Sequence, residues 1–210
     1  MPLAQIPPSA VTPEEGLQRL KDGNERFLRG EAVFSTAPSK ETLADLAKGQ
    51  HPFATILGCS DSRVPPELIF DVGFGDLFVV RVAGNVVSTE VMGSLQFANF
   101  HLKTSLIIVL GHEGCGAVNA AMSSKQQGVQ QFAQIQNLVD DILPGLPDFD
   151  PQLSREECLA QAVHANVRWT MRQIEEKASH FGKERLATGS MKLLGAVYEI
   201  ATGRVRFLDE

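Results

Sequence analysis

Two hexapeptides constrain this chain more than anything else in it: Gly58-Cys59-Ser60-Asp61-Ser62-Arg63 and Gly111-His112-Glu113-Gly114-Cys115-Gly116. Each follows a short apolar run, residues 53–57 in the first case and 106–110 in the second, and each precedes a segment with helical character. The second run, Leu-Ile-Ile-Val-Leu, is almost purely β-branched and aliphatic, the pattern of a parallel strand buried on both faces. Reactive side chains that follow the C-terminal ends of such strands sit where open α/β sheets bind their ligands. The chain is therefore expected to fold around a parallel sheet that holds these two segments together.

The chemistry they offer is specific. Cys59, His112 and Cys115 supply two sulfurs and one nitrogen, the donors zinc prefers, and three protein ligands leave a catalytic site one open position. If a helix starts near Glu113, Cys115 falls in its first turn, where backbone N–H groups and the helix dipole favour the thiolate. The competing reading is a buried His and Cys that merely pack a strand-to-helix turn. Asp61 lies two residues beyond Cys59, within reach of whatever fills the fourth position. Arg63 cannot give up its charge, so it keeps Asp61 ionised and oriented; the bland alternative is a surface ion pair of little energetic weight. His51, His101, His164 and His180 lack ligand spacing to another donor and are read as exposed or structural. Cys158 and Trp169 are read as packing residues on a long helix.

The rest of the chain supplies the scaffold. Thr12-Pro13-Glu14-Glu15 is a capping box with proline at the first helical position. The helix it starts carries Leu17, Leu20, Asn24, Phe27 and Leu28 on one stripe, which must bury against this subunit's core or against a second subunit. A short helix is expected over 40–48, another from Pro65-Pro66 through Phe70, and a strand over 77–82. Ser88-Thr89-Glu90 caps a helix running to Leu102, and residues 128–142 read as helical. Prolines make 143–151 a loop, Ser154-Arg155-Glu156-Glu157 caps a long helix to Lys177, and strands at 193–200 and 205–208 flank a turn at Ala201-Thr202-Gly203. Strands alternating with helices predict an α/β fold with a mainly parallel central sheet, flanking helices, an N-terminal helical arm and a C-terminal edge hairpin.

Composition narrows the function. The 210 residues suit a single domain spanning 1–210, with 1–50 as the arm. A formal charge of -6 without any run of Lys and Arg argues against a nucleic-acid partner, and no apolar stretch is long enough to span a membrane. Three cysteines are too few and too uneven for a disulfide framework, and fit a reducing compartment or metal-bound thiolates. Residues 1–13 show no basic segment followed by an apolar one, so a cytoplasmic location is expected, with a periplasmic or organellar form whose targeting segment has been removed as the alternative.

At Cys59-Ser60-Asp61-Ser62-Arg63 and His112-Glu113-Gly114-Cys115-Gly116 the chain resembles the β-class carbonic anhydrases. Residues 20–27, Leu-Lys-Asp-Gly-Asn-Glu-Arg-Phe, are similar to that family's N-terminal helix, and 79–85, Val-Val-Arg-Val-Ala-Gly-Asn, to its second strand. The resemblance implies a zinc enzyme interconverting carbon dioxide and bicarbonate through metal-activated water. It implies Cys59, His112 and Cys115 as ligands and Asp61 with Arg63 as the catalytic pair, with Asp61 a possible fourth ligand in the closed state that some members adopt. Gln50 corresponds to a substrate-contacting Gln that reaches across a dimer, and Val64, Phe78, Ala83, Phe97 and Gly116 to the substrate pocket. Phe97 stands where plant-type members carry Tyr, so the pocket keeps a ring and loses a hydroxyl. A homodimer or dimer of dimers is implied too. Hydrolysis of carbonyl sulfide or carbon disulfide on the same scaffold, and a non-catalytic structural or redox-sensing zinc protein, remain the alternatives.

Overall fold

The computed structural model describes residues 11–34 and 37–208; the Pro- and Ala-rich start at 1–10, with the expectation that no leader is present, lies outside them. The strands are β1 (Ala54–Gly58), β2 (Leu77–Arg81), β3 (Leu106–His112), β4 (Lys192–Tyr198) and β5 (Val205–Leu208). The helices are α1 (Pro13–Arg29), α2 (Lys40–Leu46), α3 (Pro66–Ile69), α4 (Thr89–Phe97), α5 (Gly116–Gln127), α6 (Gln134–Ile142), α7 (Arg155–Lys177) and α8 (His180–Ala187). The sheet has five strands in the order β2-β1-β3-β4-β5, the first four parallel and the last antiparallel to β4, as the sequence pattern predicts. From β1 the chain steps to one side to form β2 and then returns to the other side for β3. The C-terminal ends of β1 and β3 therefore border the switch point of the sheet, where a crevice is built into the topology.

Side-chain alternation divides the core into two layers. Ala54, Ile56, Leu106, Ile108 and Leu110 face Leu20 of α1, with Ile69 and Phe70, on one side of the sheet. Leu57, Ile107 and Val109 face the other, against Val91 and Leu95 of α4, Val118 and Met122 of α5, Ile142 of α6 and Val167 of α7. Every residue of β1 and β3 is buried, which is why both read as continuous apolar runs. β2 is only half-buried along its length, as befits an edge.

The N-terminal helix lies against its own subunit. Thr12 and Glu15 form the reciprocal capping bonds at 3.2 and 2.9 Å. Asn24, the one polar residue of the apolar stripe, is buried and tied down at both ends of its amide. Its Nδ2 donates to Ile69 O at 3.1 Å and Gly203 O at 2.9 Å, and its Oδ1 accepts from Val205 N at 2.9 Å. Gly23 makes the close approach possible: a Cβ there would fall 1.7 Å from Phe70 O. Asp71, buried and in the left-handed region at φ 42°, anchors the chain after α1 by pairing with Arg26 and accepting Val33 N and Phe34 N, each at 3.0 Å.

Several expectations are corrected. Residues 128–142 are not one helix: Gly128, at φ 68°, closes α5, and α6 starts only at Gln134. The helix from Thr89 widens after Phe97 into a π turn over Ala98–Leu102, which Lys103 ends in a left-handed conformation. β3 runs two residues further than its apolar run, because pairing with β4 continues to His112 opposite Tyr198. α8, capped by Ser179, is a helix the pattern analysis missed; its eight residues include a glycine and show little periodicity. Trp169 is half-buried rather than core, with Nε1 donating to Asp141 O at 2.9 Å and Arg172 over its ring.

Candidate active site

Backbone geometry alone assembles the three donors. Cys59 follows the last residue of β1, His112 is the last residue of β3, the neighbouring strand, and Cys115 is the N-cap of α5. All three are buried, and their ligand atoms lie within 4.8 Å of one another, with Sγ of Cys59 and Sγ of Cys115 4.0 Å apart. Among the described residues this is the group of His, Cys, Asp or Glu side chains placed to hold a metal ion.

The protonation pattern suits that role. His112 Nδ1 lies 2.9 Å from the carbonyl oxygen of Glu113 and donates there, which leaves Nε2 as the nitrogen free to bind a metal. Nε2 is buried and has no hydrogen-bond partner among the described residues. An unpartnered buried acceptor is costly; a metal ion between Nε2 and the two sulfurs removes that cost. Cys59 Sγ accepts the Gly84 N–H at 3.3 Å. The hydrogen bond with Cys115 outweighs burial and pulls the Cys59 thiol down to about 4, while that same bond and burial push Cys115 up. Burial lowers the His112 pKa, but the Cys59 sulfur beside it reverses the direction and raises it. The pocket favours a thiolate at Cys59 and a protonated Cys115, and a coordinated metal deprotonates such thiols outright.

Asp61 stands over this group. Its Oδ2 is 3.8 Å from His112 Nε2. Arg63 grips it with a two-pronged contact, Nε to Oδ1 at 2.9 Å and Nη2 to Oδ2 at 2.7 Å, and the Arg63 backbone N–H adds a third bond at 3.0 Å. The guanidinium, against a small burial penalty, holds the Asp61 carboxyl far below the usual carboxylate range. Arg81, from the end of β2, braces the main chain beneath: its Nε donates to Cys59 O at 2.9 Å and its Nη2 to Asp61 O at 2.6 Å. The segment holding Arg81 and Gly84 stood out in the sequence only as a second strand and the turn after it; the bonds these residues make to Cys59 and Asp61 could not be read from it.

The pocket residues implied by resemblance do not all gather here. Ala83 and Gly116 adjoin the ligand-bearing turns, next to Gly84 and Cys115. Val64 is wholly buried with Ile69 and Phe70 on the α1 side of the sheet, so it offers no exposed wall. Phe78 pairs with Thr55, three residues short of the Gly58–Arg81 level at which the donors begin. It stacks on Phe97 with ring centroids 6.1 Å apart, and Phe97 is 44% exposed. Gln50 is exposed, on the segment after α2. Within one subunit Phe78, Phe97 and Gln50 are therefore an outer surface rather than the lining of the donor pocket.

Three soft and borderline donors with a clamped carboxylate beside them, at the switch point of a parallel sheet, place the protein among the α/β metalloenzymes that activate water. Comparison with known proteins narrows that class to one family. Residues 54–205 match the family model described as carbonic anhydrase. Carbonic anhydrase 2 of Mycobacterium tuberculosis is 40% identical over 201 residues, covering 95% of this chain and 94% of its own length. The carbonic anhydrase of Mycolicibacterium smegmatis is 37% identical over 200 residues, covering 92% of each. Among solved structures, the β-carbonic anhydrase CcaA superposes with a TM-score of 0.71 at 27% identity, over 92% of this chain and 95% of its own. The chain belongs to the β-class carbonic anhydrases, and its reaction is the reversible hydration of carbon dioxide to bicarbonate and a proton.

Proposed function

We propose that the metal is zinc, held by Cys59, His112 and Cys115, and that Asp61 and Arg63 form the catalytic pair. The observation that carries this reading is the buried, unpartnered Nε2 of His112 set within 4.8 Å of two thiol sulfurs, a donor set that suits zinc. Zinc in such a site supplies a Lewis acid that makes water acidic enough to act as a nucleophile near neutral pH. Asp61, ionised and locked by Arg63, accepts a hydrogen bond or proton from the attacking water and sets its direction. With both carboxylate oxygens engaged by Arg63, the resting arrangement is open: Asp61 is a partner of Arg63 rather than a fourth ligand.

Substrate handling extends over two subunits in this reading. The half-buried edge strand β2, with exposed Leu68, Phe74, Phe97 and Phe100 near it, is an apolar surface of the kind that marks association. A homodimer formed there, alone or as a dimer of dimers, would bring Gln50, Phe78 and Phe97 of one subunit toward the donors of another. Gln50 would donate to a substrate oxygen, and the two rings would favour a small apolar gas. Ala83 and Gly116 would line the pocket from the ligand-bearing subunit, with Val64 supporting the Asp61 turn from below through its N–H to Asp61 O. The chain acts as a single domain on carbon dioxide and bicarbonate and needs no nucleic-acid or membrane partner. Among the described residues no helix is long and apolar enough to cross a membrane; a cytoplasmic location is part of this proposal. Stopped-flow hydration across pH, with metal content measured on the same sample, tests the assignment: one zinc per subunit with hydration is expected, and full activity in zinc-free protein would overturn it.

A further inference from the structure

Cys59 is held from behind by a turn that α7 controls. The turn at Ala83–Asn85 places two successive residues in the left-handed region, Gly84 at φ 70° and Asn85 at φ 45°. Its first product is the Gly84 N–H aimed at Cys59 Sγ, 3.3 Å away. The turn is closed locally by Asn85 N–H on Val82 O at 3.0 Å. Asn is tolerated with positive φ but does not choose it without support. The support comes from more than eighty residues further along the chain. Asn166 donates its Nδ2 to Gly84 O at 2.8 Å, and Thr170, one helical turn later, donates its Oγ1 to Asn85 O at 3.2 Å.

Besides satisfying two buried carbonyls, these two side chains fix the turn that stands behind Cys59. Asn166 is 1% exposed and Thr170 is fully buried, beside Val163, Val167 and Ile174 and the buried Gln173 on the same helix. Asn166 Oδ1 and Asn85 Nδ2 are both buried without a hydrogen-bond partner among the described residues. Apolar side chains of similar size would avoid part of that penalty. What apolar residues would lose is the hold on two consecutive carbonyls, and with it the orientation of the amide that faces Cys59. Backbone N–H groups directed at a ligand sulfur spread its charge and fix its position, and outer-shell partners of this type change metal affinity by about ten- to a hundredfold.

We propose that Asn166 and Thr170 are positioning residues for the metal centre, acting through the Gly84–Asn85 turn on the Cys59 ligand. The proposal rests on the assignment of Cys59, His112 and Cys115 as zinc ligands. It concerns retention of the metal rather than the hydration step, so activity is not its readout.

The test is zinc release to an excess of chelator, followed on the intact protein for wild type, Asn166→Leu, Thr170→Val and Ile174→Ala. Ile174 lies on the same helix one turn beyond Thr170 and is buried, and its apolar side chain cannot hydrogen-bond the turn, so its truncation reports the effect of lost packing. Asn166→Leu is expected to release zinc about tenfold or more faster than wild type and Thr170→Val faster by a smaller factor, beyond any change in Ile174→Ala. Cobalt-substituted protein gives a second reading: the thiolate-to-cobalt charge-transfer band should shift in Asn166→Leu and Thr170→Val and stay in place in Ile174→Ala. Release from both polar variants no faster than from Ile174→Ala, with an unshifted band, overturns the proposal while leaving the ligand assignment intact. Wild-type protein that takes up no zinc overturns the assignment and this inference together. If Asn166→Leu does not fold, the near-isosteric Thr170→Val decides by the same two measurements.

Discussion

Asp61 and Arg63 meet as a fork on a fork, with both carboxylate oxygens engaged by the guanidinium at 2.9 and 2.7 Å and one of them also held by the Arg63 backbone N–H. The geometry leaves Asp61 ionised and unable to rotate without breaking three bonds. Asp61→Asn should keep the metal, because Asp61 is not among the three proposed donors, and lose hydration activity by about a hundredfold or more, the scale of one lost preorganised contact at the reacting group. Arg63→Ala should fall in the same direction by freeing the carboxylate. Stopped-flow rates beside metal content check both; normal turnover in Asp61→Asn would reduce the carboxylate to a structural part.

Three donors leave no spare for the metal. Cys59→Ser, His112→Ala and Cys115→Ser should each lose zinc and activity together, since all three atoms lie within one 4.8 Å group. Metal analysis after dialysis is the measurement, and a variant that retains one zinc per subunit with full activity would remove that residue from the ligand set.

Acid stability should report the anchor of the N-terminal arm. Burial would raise the Asp71 pKa, but the Arg26 side chain and the backbone N–H groups of Phe34 and Val33 outweigh it and lower the value. A carboxylate whose folded pKa is depressed contributes stability that is present above its unfolded pKa and is lost as pH falls through the folded value. Asp71→Asn should therefore unfold about 2 kcal/mol more easily at neutral pH, and the gap to wild type should narrow below about pH 4. Denaturant melts at several pH values check this, and a gap that stays constant into acid would show that Asp71 is not the titrating anchor.

The open pairing of Asp61 has a kinetic counterpart. Family members that bicarbonate holds closed resemble one another in a pocket with Trp three residues before the first ligand Cys and Arg on the second strand. Here the first position is Ile56, fully buried in the core, and Arg81 is engaged with the carbonyls of Cys59 and Asp61. Activity should rise smoothly with pH and show no steep cooperative loss as bicarbonate is added. A crystal structure near neutral pH with Asp61 on the metal and Arg63 unpaired would overturn this.

The sequence by itself determined the class of fold and marked the candidate site. Donor types and their local spacing are properties of short segments, so Cys59, His112, Cys115, Asp61 and Arg63 were legible without coordinates. Buried parallel strands announce themselves because both faces must be apolar, and capping boxes at Thr12 and Ser154 announce helix starts because the orphan N–H groups there need nearby acceptors. Boundaries set by long-range pairing were not legible. β3 extends to His112 only because β4 runs beside it, and Gly128 separates two helices through its backbone angle rather than its local pattern. Tertiary structure alone decided which groups stand behind the site: Arg81, the Gly84 amide, Asn166 and Thr170 come from β2, the turn after it and a helix far along the chain. It also decided that Val64 is core and that Phe78, Phe97 and Gln50 face outward in a single subunit. Such relations depend on which elements lie side by side, and that is chosen by the burial of the whole sheet at once, not by any segment of the sequence.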